Sequence, residues 1–219
     1  MRIFISVGVV TMLFAMPAFA QTERGYIEGS GGFAITPDTT SGAVLGEVGV
    51  RVAPHLFAFG DLGQFRNVQP SQFQPSVDST TALLSSTDGL DVVGKARVPA
   101  WYSIGGLRFE PPVARRVSPY IFGGAGFARL SPTATFTYTN GPLGDSTAAP
   151  GDDVTDQLVS LGDFTKPAPT TSFMFGLGRG VKIPVAPRLT VDAGYRFSRI
   201  ASDTPVNVQG PTFGLGYRF

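Results

Sequence analysis

The sequence predicts an all-β protein: an eight-stranded, antiparallel, up-and-down β-barrel that spans a membrane. Three observations favour this fold class. Gly and Pro are abundant, at 28 and 18 of 219 residues, and inside a helix they cost about 1 and about 3 kcal/mol relative to Ala. Eight segments have strand character and the length of roughly ten residues with which tilted strands cross a bilayer. The connections between them fall into a compact set and a set that includes two long loops.

Residues 1–20, MRIFISVGVVTMLFAMPAFA, have the pattern of a secretory signal peptide. Arg2 precedes an apolar run, and Ala18 and Ala20 flank Phe19 as small residues do at a cleavage site. The alternative is an uncleaved membrane anchor, but the apolar run is short for a helix that spans a bilayer. We therefore expect cleavage after Ala20 and a barrel domain formed by residues 21–219.

Loss of this leader leaves no net charge, because 17 Lys and Arg less Arg2 equal 16, against 16 Asp and Glu. The balance provides no basic surface for nucleic acid, so no nucleic-acid partner is expected. The chain also has no Cys, which excludes disulfides and thiolate metal sites although the leader directs export to an oxidising compartment. Stability must therefore come from packing and backbone pairing.

The predicted strands alternate with connections of two kinds. In chain order the strands are 25–36, 42–52, 56–66, 98–110, 119–130, 171–183, 189–200 and 210–219. Every second connection is compact and contains Pro, namely 53–55, 111–118 and 184–188. The two longest, 67–97 and 131–170, belong to the other set. Barrels that span membranes have short turns at one end and longer loops at the other, so we expect these two loops outside the cell and both termini at the short-turn end.

Alternation assigns an apolar face to four of these strands. Its members are Ile27, Phe33 and Ile35; Val44, Val48, Val50 and Val52; Leu189, Val191, Ala193, Tyr195 and Phe197; and Phe213, Leu215, Tyr217 and Phe219. Alternation does not tell whether this face points outward, as in a membrane barrel, or inward, as in a soluble sandwich. The signal peptide, the unequal loops and the aromatic C-terminus favour the outward direction.

Two other strands fit the pattern poorly. Asp61 shares a face with Phe57 and Phe59, which predicts a β-bulge or a misplaced boundary in segment 56–66. In segment 98–110 the two faces barely differ in polarity. The register of both segments is therefore left open.

With these features the chain resembles the small eight-stranded outer-membrane barrels of Gram-negative bacteria, the OmpA/OmpX-like families. The resemblance rests on the alternating segments, the alternate short turns and the terminal FGLGYRF. It implies residence in the bacterial outer membrane, with outer-membrane lipid and the outer-membrane assembly machinery as partners. It also implies that Phe213, Leu215, Tyr217 and Phe219 are the assembly signal and that the last strand closes against the first. Because no residues follow Phe219 in the sequence, we expect no peptidoglycan-binding domain like that of the best-known member of these families.

The charges on the inner faces are the most informative cluster. The predicted lumen charge network is Glu28, Glu47, Arg51, Asp192, Arg196 and Arg218, with Arg108 and Arg129 as further candidates. The lumen of an eight-stranded barrel is just wide enough for side chains to fill it, and buried charges are tolerated when they are paired. The network therefore predicts a structural plug, and the alternative is a narrow pore lined by Arg.

Catalytic, cofactor and metal sites are not expected. His55 is the only histidine and lies in a turn at the end opposite the external loops, whereas a lipid-modifying enzyme needs a base beside a nucleophile. The Gly-rich stretches 123–126 and 176–180 lack the following helix of a phosphate-binding loop. Segment 151–156, GDDVTD, has oxygen ligands of the kind that Ca²⁺ needs, but a solvated acidic loop is the favoured explanation.

The long loops are where a specific function would reside. Loop 131–170 carries Asp145, Asp152, Asp153, Asp156 and Asp163 against Lys166 alone, and its segment 133–141 alternates up to Asn140-Gly141, which predicts a projecting hairpin. We expect a monomeric barrel, not an enzyme, with a structural or adhesin-like role through an extracellular partner. The alternatives are a narrow channel for small solutes, a lipid-modifying enzyme and a soluble secreted β protein.

Overall fold

The computed structural model describes residues 24–112, 117–143 and 148–219. These residues form ten strands and two helices. The strands are β1 Gly25–Ile35, β2 Thr40–Ala53, β3 Leu56–Phe65, β4 Asp91–Arg97, β5 Ala100–Phe109, β6 Ser118–Leu130, β7 Thr133–Asn140, β8 Thr170–Ala186, β9 Leu189–Ala201 and β10 Val206–Arg218. The helices are α1 Pro70–Asp88 and α2 Thr155–Leu161. In the part of the chain that is described, neither helix has the length and apolarity needed to cross a membrane. The predicted leader, residues 1–20, lies outside the described residues.

Eight of the strands close into an antiparallel barrel in the order β1, β10, β9, β8, β6, β5, β3, β2. The predicted fold class is therefore confirmed, and each predicted strand overlaps one barrel strand. The ring closes where β10 pairs with β1, as the family resemblance implied. The Arg24 and Gly25 amides donate to the carbonyl of Phe219 at 2.7 and 3.1 Å, and the Phe219 amide donates to the Gly25 carbonyl at 3.0 Å. The last residue is held by backbone pairing.

The register fixes how strongly the strands tilt. We start at Gly25 of β1 and move from each residue to its register partner on the next strand. One full circuit of the barrel returns to β1 at Ile35, so the offset is 35 − 25 = 10 residues. The intermediate positions are Val50, Ala58, Leu107, Gly123, Leu177, Phe197 and Gln209. Such an offset on eight strands corresponds to a tilt of about 40°, with an interior that side chains can fill. Each residue then climbs roughly 2.5 Å along the barrel axis.

The apolar faces point out of the barrel, as expected of a membrane barrel. Leu215 is 68% exposed and Leu189 is 48% exposed, whereas Glu47 and Asp192 are 1% exposed. The soluble sandwich, which would bury the apolar face, is therefore not the fold.

The predicted irregularity at Asp61 is wrong. Phe57, Phe59 and Asp61 all point into the lumen and are buried, and β3 keeps one register with β5 throughout. The register shift of this region lies instead between Arg51 and Ala53, where β2 meets the short turn to β3. The pattern was misread because this lumen contains aromatic rings beside its charges. Segment 98–110 was ambiguous for the same reason, since β5 places aromatic side chains on both faces.

The two long connections fold together into a cap over one end of the barrel. We define the cap as α1, β4, β7 and α2. The predicted hairpin in 133–141 is wrong, because β7 pairs with β4 from the other connection, with Ala134 opposite Ala96. This ladder continues the register of β5 and β6, in which Ala100 faces Leu130, and the Ser131 amide donates to the Pro99 carbonyl at 2.9 Å between the two. The cap is thus an extension of the barrel wall.

Candidate functional site

Glycines make room for rings in the half of the lumen near the short turns. A side chain at Gly49 would collide with the ring of Tyr26, and one at Gly178 would collide with Phe122. At Gly180 a Cβ would lie 2.5 Å from the Tyr120 hydroxyl oxygen. The Gly-rich segments therefore serve packing in a narrow barrel, and the large rings in turn surround the buried charges.

Arg108 lies at the centre of these charges and is fully buried. Its Nη2 is 2.6 Å from Oε1 of Glu47, and its Nη1 is 3.7 Å from Oε2 of Glu28. The guanidinium also lies 4.3 Å from the ring centroid of Tyr120 and 5.0 Å from that of Tyr26. Cation–π contacts of this kind stabilise a desolvated guanidinium, so Arg108 is held by two carboxylates and two aromatic faces.

Glu47 links three partners through its two oxygens. Besides Arg108, its Oε2 pairs with Nη2 of Arg196 at 2.7 Å, and the Tyr26 hydroxyl donates to its Oε1. Arg196 uses its other terminal nitrogen, Nη1, to pair with Oδ2 of Asp61 at 2.8 Å. Removing the Glu47 carboxylate would therefore take one counter-charge from two cations, leaving Arg196 with Asp61 and Arg108 with the more distant Glu28.

A second chain of pairs leads to the short-turn end. Lys182 Nζ lies 3.0 Å from Oε2 of Glu28 and 3.7 Å from Oε1 of Glu110. Nη2 of Arg218 donates to Oε2 of Glu110 at 3.0 Å. Asp192 accepts a 2.8 Å hydrogen bond from the Tyr120 hydroxyl.

We call this set of polar side chains the ionic layer. It comprises Tyr26, Glu28, Glu47, Asp61, Arg108, Glu110, Tyr120, Lys182, Asp192, Arg196 and Arg218. Five carboxylates thus oppose four cations, so the layer is close to neutral.

The structure places the predicted lumen residues as follows. Glu28, Glu47, Asp192, Arg196 and Arg218 lie in the ionic layer, and Arg108 belongs to it as well. Arg51 does not join the ion pairs of the described residues. It lies exposed at the short-turn mouth, with its guanidinium 5.3 Å from the ring centroid of Phe57. Arg129 is exposed on the outer face of β6.

Sequence reasoning missed Asp61, Glu110 and Lys182. Lys182 could have been found from alternation. It lies an even number of residues from Gly178 and Gly180, so it is on the face opposite to the outward Leu177, which is the lumen face. Asp61 was obscured by the phenylalanines on its face. Glu110 stands just beyond the end of β5, where alternation gives little information about direction.

An apolar core closes the lumen on the capped side of the ionic layer. Its buried side chains include Leu45, Phe65, Ile104, Met174 and Val208. A cavity remains between these side chains and the side of the ionic layer that faces the cap. Its volume is only about 20 Å³, which is enough for a single water molecule. At the opposite end a mouth of about 540 Å³ opens to solvent.

His55 lies at that mouth. It adopts a positive φ of 62° in the turn between β2 and β3, and its carbonyl accepts the Glu110 amide at 2.8 Å. Arg51, Arg218 and Glu110 also line the mouth. The surroundings of His55 are therefore those of a polar turn at the edge of the ionic layer.

Both free edges of the cap ribbon are covered. On β4, the Gln74 side chain donates to the Gly94 carbonyl at 3.0 Å and accepts the Ala96 amide at 2.8 Å, so that one amide group imitates a neighbouring strand. On β7, the Tyr138 amide donates to the carbonyl of Asp152 at 2.9 Å, and the amide of Val154 donates to β7 in return. Covered edges do not recruit other strands, so the ribbon is not a template for strand addition.

The cap has its own apolar core. It contains the buried Val77, Leu84, Phe136, Val154 and Leu158, together with Leu90, Ala96, Ala134, Leu143 and Phe164. Phe73 packs against both this core and the core of the barrel lumen. The cap is therefore a folded unit that is packed onto the barrel.

The acidic segment of the cap makes internal hydrogen bonds. Asp153 accepts from the Thr155 hydroxyl and from the Thr155 amide, and these bonds hold the pKa of Asp153 below its ordinary value of 3.8. Asp152 accepts the Ala149 amide at 2.8 Å. These carboxylates thus shape the loop that leads into α2.

Comparison with known proteins agrees with this architecture. The model of the family described as outer membrane protein beta-barrel domain matches residues 6–219. A search of curated proteins found no match.

Solved structures with a similar fold share little sequence with this chain. Neisserial surface protein A is 15% identical with a TM-score of 0.54, over 89% of this chain and 97% of that one. A major outer membrane protein from Thermus thermophilus is 12% identical with a TM-score of 0.50, over 89% and 99%. At such identities the likeness shows the fold alone. The family match covers nearly the whole sequence, and we conclude that this chain belongs to the outer membrane β-barrel family and has its place in the bacterial outer membrane.

Proposed function

We propose that this protein anchors a folded cap in the outer membrane and presents it to an extracellular partner, in an adhesin-like role. The observation that carries the proposal is the cap itself, with its own core and both ribbon edges covered. Long connections of outer-membrane barrels lie outside the cell, and short turns lie in the periplasm. The cap then faces outward, and both ends of the barrel domain lie on the periplasmic side after removal of residues 1–20.

The surface of the cap offers apolar side chains for contact. Leu83 on α1, Val93 on β4 and Leu161 on α2 are 64%, 63% and 59% exposed. Large apolar side chains far from the lipid-facing wall gain free energy when a partner covers them. They are the residues we assign to partner contact.

The barrel, on this proposal, is a plug and an anchor. Its charges are paired across the lumen, and apolar side chains fill the half of the lumen nearer the cap. A conducting path would have to open both layers, and each is packed against the other. We therefore favour the structural role over the narrow channel.

The last strand carries the residues that we assign to outer-membrane assembly. Phe213, Leu215, Tyr217 and Phe219 form the outward row of β10, at 39% to 68% exposure, and we propose that this row is the signal read by the outer-membrane assembly machinery. We further propose that the barrel acts as a monomer.

The adhesin-like role is tested with bacteria that express the full chain and are incubated with epithelial monolayers. Expressing cells should adhere more than cells with an empty vector, and a variant with Leu83, Val93 and Leu161 changed to Ser should lose that gain. A matched control changes the exposed polar residues Ser79 and Ser86 of α1 to Ala and should adhere as the parent does. Adhesion equal to the empty vector would refute the role.

The narrow channel is the second candidate, favoured by the open mouth of about 540 Å³ beside Arg51 and Arg218. It predicts reproducible conductance of refolded protein in planar bilayers, altered when Arg196 or Arg218 is changed to Ala. Silent bilayers would exclude it.

A further inference from the structure

Arg179 is a charged residue on the lipid-facing wall of the barrel. In the outward row of β8, three apolar residues flank Arg179 on each side: Phe173, Phe175 and Leu177 toward the capped end, and Val181, Ile183 and Val185 toward the short-turn end. Arg179 is exposed, and its register neighbours are Ile121 on β6 and Tyr195 on β9. Three apolar residues on each side place it near mid-depth in the apolar band, where a lipid-facing cation is costly and indicates function.

The chain offers Arg179 no counter-charge. Among the described residues, none forms an ion pair or a side-chain hydrogen bond with Arg179. The carboxylates of the described barrel strands, such as Glu47 and Asp192, point into the lumen. A second copy of the chain could therefore not neutralise Arg179 from its own lipid-facing wall.

A groove of about 490 Å³ runs beside Arg179. Its walls include Tyr195, Ile121 and Pro119, and its floor includes Gly180 and Gly194, which face each other in the register. Because Pro119 stands at the start of β6, two residues before Ile121, the groove leads from mid-depth toward the short-turn end. It therefore opens toward the headgroups of one leaflet.

We propose that this groove binds a phospholipid from the leaflet at the short-turn end, with the lipid phosphate against Arg179. The Arg179 guanidinium and the hydroxyl of Tyr195, which is 44% exposed, are both hydrogen-bond donors. Because no carboxylate of the described chain accepts from these donors, both are available to the anionic oxygens of a phosphate diester.

The position of the groove makes this contact reachable. The long side chain of Arg179 can extend along the groove toward the interface, so the phosphate does not have to reach mid-depth. A single acyl chain fits beside the small residues of the floor.

Lipid binding to the full, refolded protein in a maltoside detergent tests the proposal by native mass spectrometry. Dioleoyl phosphatidylglycerol is the probe, with dioleoylglycerol and inorganic phosphate as separate arms. We expect Arg179→Leu to weaken phosphatidylglycerol binding tenfold or more and Tyr195→Phe to weaken it severalfold. Arg199→Leu, which removes an outward cation from the capped end of the same β9 strand that carries Tyr195, should change it less than twofold.

Each other outcome overturns the proposal. If Arg179→Leu binds phosphatidylglycerol as tightly as the parent does, Arg179 is not the binding residue. If dioleoylglycerol binds as tightly as phosphatidylglycerol, the groove does not recognise the phosphate. Displacement of the lipid by millimolar inorganic phosphate would make the site one for free phosphate. If Arg179→Leu fails to give a folded barrel on a gel, Arg179→Gln and Tyr195→Phe decide in its place.

Discussion

Replacement of Glu47 by Gln tests whether the lumen is a dry plug. The change keeps the size of the side chain and removes one negative charge from between Arg108 and Arg196, which lie 2.6 and 2.7 Å from its oxygens. Breaking a buried ion pair by removing one partner costs about 3–5 kcal/mol, because the remaining charge stays buried without compensation. Arg196 keeps Asp61 at 2.8 Å, so the loss should stay within this range although Glu47 serves two cations.

The assay is urea unfolding of the refolded barrel in detergent. Trp101, the single Trp of the chain, is 53% exposed on the lipid-facing wall and reports the loss of the barrel by fluorescence. The heat-modifiable shift on a gel measures the same transition independently. Asp203→Asn is the matched control, since Asp203 is exposed in the turn between β9 and β10, and it should change the free energy of unfolding by less than about 0.5 kcal/mol.

A loss below about 1 kcal/mol for Glu47→Gln would refute the reasoning. Ion pairs in water are worth only that much, so such a result would mean that solvent reaches the ionic layer. The narrow channel would then be the better account of the lumen.

Four further predictions concern the cap and the terminus. Gly94→Val should displace α1, because the new Cβ collides with Val77; limited proteolysis should then cut the cap while the barrel keeps its heat-modifiable shift, and an uncut cap would contradict the packing. Phe136→Ala should cost the cap about 3–5 kcal/mol, seen as faster amide exchange in β7 but not in β10. Because the folded-state pKa of Asp153 is lowered, its stabilisation is complete above pH 4 and disappears as the pH falls through the lowered pKa; pepsin should cleave the parent cap more readily at pH 2 than at pH 4, whereas Asp153→Asn should lose this dependence. Phe219→Ala should reduce the folded barrel in outer membranes of cells but not refolding in detergent, because its backbone bonds remain; equal losses in both would argue against an assembly signal.

The strands and their faces were predictable because each barrel residue meets one of two environments. Lipid selects apolar side chains at every second position, so alternation placed Leu189 and Phe213 correctly on the apolar faces. The outward direction of those faces was predicted from the signal peptide pattern, the unequal loops and the aromatic C-terminus. The lumen is less uniform, since it contains aromatic rings, glycines and charges together. Asp61 was misread for that reason, and the composition of the ionic layer could be predicted only in part.

The cap was not predicted because its pairing joins two loops that are distant in sequence. Nothing in segment 133–140 alone reveals that its partner is 91–97. The helix left a weaker trace, because Phe73, Val77 and Leu84 recur at helical spacing and all pack inward. The abundance of Ser and Thr in 67–97 hid that spacing.

The shared register of the two ladders gives the protein a mechanical property. Since β4 and β7 prolong the lines of β5 and β6, tension applied to the cap runs lengthwise into the barrel wall. There the tension loads the hydrogen bonds between neighbouring strands in shear, so that many of them must break together. The pair β5 and β6 is also hydrogen-bonded to β3 on one side and to β8 on the other. In the proposed adhesin-like role, the contact between the cap and its partner should therefore break before the barrel strands slide past one another.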